Sequence, residues 1–383
     1  MFIFPFPKML KILSKATLFL CVYSLLSIGN AMAIEVSQLA DAEVAVASRD
    51  AGERHQGLKT ALQQVILKNA GDEAVLDNEL IREQLKRPEA LLSQYGYVER
   101  DAKLWLQASY DQSRIIALLR QANLPVWGSQ RPLTLVWLAM QNQEERLVLG
   151  DASALAERQQ FSQFSAERGV PLLFPLMDLD DVMRVGVADV RGMFTEVVAS
   201  ASARYQADFF AIAALEPAAG SIKYQLSLFP KDSAGAGTQP AFYHQGETAD
   251  SATAINEMMS ALSRYFVAQY AIADSGEKQQ SSVTFTGINQ MKQLVEIEKY
   301  LQQLSVVNTT RLSRVQGDTV TFKLELFGSE ADLQRLLSLE PKISVTQDAA
   351  QDTAEHNPSA QFSADAAQAS SGAPQLLYHW RLQ

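Results

Sequence analysis

The sequence predicts an α+β or α/β protein of three modules: a central α/β sandwich with a mixed sheet, flanked by two βαββα-type modules, the last of them ferredoxin-like. Three observations carry this. Apolar stripes spaced three and four residues apart recur between short strand-like runs along the chain. Two of those runs, "LTLVWLAM" and "DFFAIAAL", are apolar at both parities, the pattern of strands covered on both faces. The chain of 383 residues is 47% hydrophobic, enough for two or three cores.

The expected first module, 34–128, opens with a strand around Val44 and Val46. A helix with the stripe Leu58, Ala61, Leu62, Val65 and Ile66 follows. Leu76, Leu80 and Leu85 extend the helical region to Pro88, which cannot sit in a helix interior. "YVERDAKLWLQASY" reads as two strands about a polar turn, and Asp111 as the N-cap of a helix that Pro125 closes. In the segment "LPVWGSQRPLTLVW", Gly128 permits a change of direction and Pro132 forces Arg131 into an extended conformation that feeds the next strand.

The central module, 129–273, continues through "LTLVWLAM", a helix with Leu155, Phe161 and Phe164, and a helix with the stripe Val190, Phe194, Val197, Val198, Ala201 and Tyr205. After "DFFAIAAL", Ile222, Tyr224, Leu226 and Leu228 alternate with polar residues, which predicts a strand with one wet face. A strand near Phe242 and a long helix with Ile255, Met258, Met259, Leu262 and Phe266 complete it. A polar linker is expected at 274–282, before the ferredoxin-like module at 283–383. Its closing strand has two candidates, "KISV" and "LLYHWRL", separated by an insert at 346–374 too polar to pack and expected to be disordered. Lys103–Leu119 and Thr319–Leu337 share a strand, cap and helix pattern, so the outer modules share a βαββα plan or repeat a common motif by chance.

Residues 1–33 have the layout of a secretory signal peptide: Lys8, Lys11 and Lys15, then an apolar run from Ala16 to Ile28, then Ala31-Met32-Ala33. Cleavage there predicts a periplasmic chain without its single cysteine, Cys21, and takes the formal charge from -10 to -13. That balance, with no long basic run, argues against nucleic-acid binding. No later stretch is long and apolar enough to span a membrane.

Signatures of catalysis are sparse: no G-x-S-x-G elbow, no H-E-x-x-H and no phosphate loop, and Gly235-Ala236-Gly237 lacks the helix a dinucleotide site needs. His55, His244, His356 and His379 are scattered, so neither a metal nor another cofactor is expected. The acidic group Asp178, Asp180, Asp181 and Asp189 could divide acid and base roles or hold a hard cation. Helix capping accounts for the same residues, and its spacing does not match a calcium loop. Trp127 and Arg131 read first as a rigid joint and second as a groove for a sugar, peptide or carboxylate. The candidate binding residues are therefore Trp127, Arg131, Asp178, Asp180 and Asp181, with no catalytic residue assigned.

The stretches "LPVWGSQRPLTLVWLA", "GVPLLFPLMDLDD" and "ASARYQADFFAIAAL" resemble a family of secreted gammaproteobacterial proteins catalogued as domain of unknown function 2066. The resemblance covers most of the chain after residue 33 and carries no assigned chemistry. In element order the middle piece is similar to small α/β domains of envelope proteins, such as the amino-terminal domain of the periplasmic Tol component and the flagellar T-ring protein. That likeness implies a compartment and a style of function. The resulting expectation is a non-enzymatic binding or scaffold protein of the Gram-negative envelope with a protein partner. The alternatives are a small-ligand binding protein at the module seam and a hydrolase using the Asp cluster.

Overall fold

The structure is a computed structural model describing residues 38–100, 102–142, 144–233, 238–274, 276, 278–346 and 377–381. The expected signal segment, the Gly235–Gly237 loop, His356 and almost all of the expected insert lie outside the described residues. The fold is mixed α+β, with fourteen strands in three sheets and ten α-helices among the described residues.

The first module comprises β1 (Asp41–Val46), α1 (Ala51–Ala70), α2 (Glu79–Leu85), β2 (Leu92–Arg100), β3 (Lys103–Tyr110) and α3 (Gln112–Gln121). Its antiparallel sheet has the order β1-β3-β2. The whole predicted stripe of α1 is buried, and the helix ends where Gly71, at φ 78°, donates its N–H to the Leu67 carbonyl. Asp111 caps α3 by accepting the Arg114 N–H at 3.1 Å. The helical region expected up to Pro88 is broken. The side chains of Asp72 and Asn78 accept from the N–H groups of Ala74 and Leu80, starting new turns instead of continuing an old one.

The central module contains β4 (Thr134–Asn142), β5 (Glu145–Val148), α4 (Ala156–Arg168), β6 (Leu172–Leu173), α5 (Leu179–Arg184), α6 (Val187–Arg191) and α7 (Thr195–Ser202). It continues through β7 (Phe209–Ala218), β8 (Ser221–Pro230), β9 (Phe242–Thr248) and α8 (Ser251–Tyr270). The sheet order is β5-β4-β7-β8-β9, with β6 also on β4; β4 runs parallel to β6 and β7 and the other pairs are antiparallel. Val136, Leu138 and Met140 of β4 face the core shared with α4 and α8, whereas Leu135, Trp137 and Ala139 face a second core with α6 and α7. This is why β4 is apolar at both parities.

Two expectations for this module are corrected. The stripe from Val190 to Tyr205 is two helices rather than one, because Met193 sits at φ 55° and the Phe194 N–H turns back to the Asp189 carbonyl, leaving Phe194 exposed. The second face of β8 is dry along half its length. Ser227 and Phe229 are buried there, and Phe229 stacks on Phe210 at 5.2 Å.

The third module runs β10 (Gln279–Thr286), α9 (Met291–Gln303), β11 (Val307–Gln316), β12 (Thr319–Leu326), α10 (Glu330–Leu337), β13 (Ile343–Thr346) and β14 (Leu377–Trp380). Its order is β11-β12-β10-β14-β13. Both candidate closing strands are therefore present. The second, β14, lies parallel beside β10, while the first, β13, pairs antiparallel outside it. Tyr378 and Trp380 of β14 supply the large apolar rings that cover Phe285, at 5.7 and 6.2 Å between centroids. Since β10 begins at Gln279, the expected linker at 274–282 is partly strand. One apolar core joins Phe266 of the central module to Val283, Phe285 and Phe322 of the third.

A Cβ placed on Gly71 would lie 1.9 Å from Val267 of α8. Gly71→Ala is therefore expected to lower unfolding free energy by about 2–4 kcal/mol in a denaturant titration, from overpacking and positive φ together. Gly220→Ala, also at positive φ but with open space around it, should cost about 1 kcal/mol.

Candidate functional site

The segment Arg120–Arg131 is where the three modules meet. Val126 and Ile272 exchange two backbone hydrogen bonds of 2.9 Å, and the Trp127 N–H donates to the Asn69 carbonyl at 2.7 Å. Arg120 donates to the carbonyls of Ile272 at 2.7 Å and Ser305 at 2.6 Å while its guanidinium lies 4.3 Å over Phe327. A side chain at position 128 would reach within 3.0 Å of Ser305, so glycine permits the close approach.

Trp127 is 0% exposed and Arg131 4%. All three nitrogens of the Arg131 guanidinium donate: Nε to the Gly128 carbonyl, Nη1 to those of Gly169 and Arg168, Nη2 to those of Lys68 and Trp127. Lys68 lies in the last turn of α1, and Arg168 and Gly169 end α4. The cation thus answers the negative ends of two helices and stacks 3.8 Å over the Trp127 ring, with no carboxylate partner among the described residues. Burial pulls its pKa down to about 9, which leaves it charged at neutral pH. The geometry corrects the groove expected from Trp127 and Arg131. Both side chains are sealed in the joint, and the Arg131 donors that would have met a ligand are taken by carbonyls.

The acidic group is also drawn into the scaffold. The Asp178 carboxylate accepts the Asp181 N–H at 3.1 Å as the N-cap of α5 and takes both Nη groups of Arg204, at 2.9 and 2.7 Å. Asp181, 1% exposed, accepts the Met177 N–H at 3.0 Å, the Tyr205 hydroxyl and Arg204 Nη1 at 3.3 Å. Asp180 is exposed, 4.0 Å from Arg204, and Asp189 accepts the Gly186 N–H at the start of α6. The hydrogen bond from Arg204 holds Asp178 down at about 2, and burial followed by the bond to Asp181 pushes Tyr205 up to about 12. Asp178 and Asp181 share one cation and do not face each other across a space for substrate. Among the described residues no three of His, Cys, Asp and Glu converge as for a metal.

Neither Arg204 nor the pairing role of Tyr205 is visible from sequence spacing, because both lie more than 20 residues from their partners. What spacing does show is a second face of α5. Leu179, Val182 and Met183 stand three and four residues apart and are exposed, Leu179 at 77% and Met183 at 78%, with exposed Leu176 just before them. Asp181 points the other way. His244 lies 3.1 Å from the Tyr224 hydroxyl and His55 2.8 Å from Glu89, while His379 is exposed on β14.

Residues 33–128 match a family model described as Domain of unknown function (DUF8605), and residues 279–382 match DUF2066. The three motifs that suggested DUF2066 lie outside the matched 279–382, so the resemblance is placed in the third module rather than over most of the chain. No curated protein matches the chain. Among solved structures, a formyltetrahydrofolate deformylase from Burkholderia mallei is 11% identical, covering 46% of this chain and 84% of that one. The TM-score of that match is 0.16.

Replacing Arg131 with Met leaves carbonyls of three elements unsatisfied in the interior, and the expected loss is at least about 3 kcal/mol in equilibrium unfolding. Arg131→Lys should recover only part of it, because one ammonium cannot span donors held by a fork. Asp178, with a folded pKa below its ordinary 3.8, contributes stability that is present above that value and lost as pH falls through about 2. Carboxyl NMR should find this titration near 2 in the native chain, and Arg204→Gln should return it toward 3.8.

Proposed function

We propose that the protein is a non-catalytic binding or scaffold component of the Gram-negative envelope, exported to the periplasm, whose partner is another protein. The observation that carries this reading is the exposed apolar face of α5. Isolated apolar residues are common on surfaces, but four large ones within eight positions, held outward by a buried carboxylate on the opposite side of the helix, are the pattern of an interaction site. Exposed Asp180 at its margin fits a partner surface with an apolar centre and a basic rim. The exported location rests on the sequence pattern of residues 1–33. No helix among the described residues is long and apolar enough to cross a membrane.

A photo-crosslinking amino acid at Met183, introduced in the full chain in cells, should capture a discrete periplasmic protein that the same group at exposed Glu247 does not. Leu179→Asp with Val182→Asp, in the chain carrying the probe at position 183, should abolish that adduct while changing stability by no more than about 1 kcal/mol, as surface substitutions do. Identical adducts from both positions, or none, would remove the basis for a partner at α5.

A further inference from the structure

The first and third modules follow the same path. Each runs βαββα, the first with the short helix α2 added after α1; each orders its strands first, third, second, and each starts the helix after its third strand on a side-chain cap, Asp111 or Ser329. They differ at one edge. In the third module Thr284, Phe285 and Thr286 of β10 pair in parallel with Leu377, Tyr378 and His379, and beneath Tyr378 and Trp380 both Val283 and Phe285 are buried. Val46 lies opposite Leu104, the second residue of β3, as Phe285 lies opposite Val320, the second residue of β12. Ala45 is thus the counterpart of Thr284, and Val44 that of Val283.

Among the described strands, β1 pairs with β3 alone. The Tyr110 N–H bond to the Ala40 carbonyl, at 2.9 Å, sets the alternation. Ala42, Val44 and Val46 turn their backbone groups toward β3, and Asp41, Glu43 and Ala45 turn theirs outward. Lys68 Nζ donates to the Asp41 carbonyl at 2.6 Å, which closes that end of the edge. The outward groups of Glu43 and Ala45 have no protein hydrogen bond among the described residues. Val44 and Val46, on the core face, remain half-exposed where their counterparts are covered by aromatic rings.

We propose that the β1 edge binds an extended segment of a partner polypeptide as an added parallel strand, with large apolar side chains at two alternate positions covering Val44 and Val46. The occupied counterpart in the same chain supplies both the direction and the side-chain pattern. A second copy related by a two-fold axis does not fit, since it would bring two β1 strands together antiparallel. The contact is main-chain addition with side-chain pockets, at a place separate from α5.

Selection of nine-residue peptides from a random library on the full chain tests this, with the chain's own Gln375–Gln383 peptide as a synthetic probe of the pattern. Enriched peptides should carry large apolar residues at alternate positions. Their binding by fluorescence anisotropy should weaken at least tenfold in Ala45→Pro, which removes an outward N–H and leaves the bonds to β3 in place. In the unaltered chain, saturating peptide should slow amide exchange at Glu43 and Ala45. Absence of enriched peptides, or enriched peptides that leave exchange at both amides unchanged, would overturn the proposal; the exchange measurement decides even where Ala45→Pro fails to fold.

Discussion

The architecture depends on one buried cation. Arg131 is enclosed on every side, and its charge is answered by carbonyl dipoles alone, drawn from the ends of α1 and α4 and from its own loop. A carboxylate partner would satisfy the charge through a single contact. Carbonyls satisfy it only if two helices from different modules end in the same place. The charge therefore sets the relative position of α1 and α4, and the Trp127 ring beneath it fills the space that a planar guanidinium leaves. Arg120 repeats the device on a smaller scale between the central and third modules.

The same economy governs the acidic group. A carboxylate as deeply buried as Asp181 is tolerated because a hydroxyl, a backbone N–H and a guanidinium all point at it. The result is a short helix pinned from below. Six residues are too few to hold a helix through propensity, so α5 exists because Asp178 caps it and Asp181 anchors it. Its apolar residues are presented outward as a consequence. Residues that resemble reactive equipment in the sequence act as the mounting for a surface.

The outer modules show how one topology serves two ends. With β14 in place the third sheet is covered along the β10 edge, and Phe285 is sealed under two rings. Among the described residues no such strand lies beside β1, and the first sheet keeps backbone donors and acceptors facing outward at Glu43 and Ala45. Lys68 guards only the beginning of that edge, a partial version of the protection that exposed strands usually carry in full.

Local patterning made most elements legible. The α1 stripe, the turn between β2 and β3, the doubly buried β4 and β7, and the Asp111 cap all follow from interactions within a few residues, which spacing records directly. The break at Met193 escaped because the stripe keeps helical spacing across it and only backbone dihedrals reveal the interruption. Sequence by itself determined the mixed α+β class and the position of most strands and helices. Tertiary structure alone decided that both closing strands are used, that Arg131 is answered by the ends of two helices, and that Arg204 disarms Asp178. Those contacts join residues 26 to 93 positions apart, and the energy of a buried charge or a strand edge depends on neighbours that no local pattern encodes.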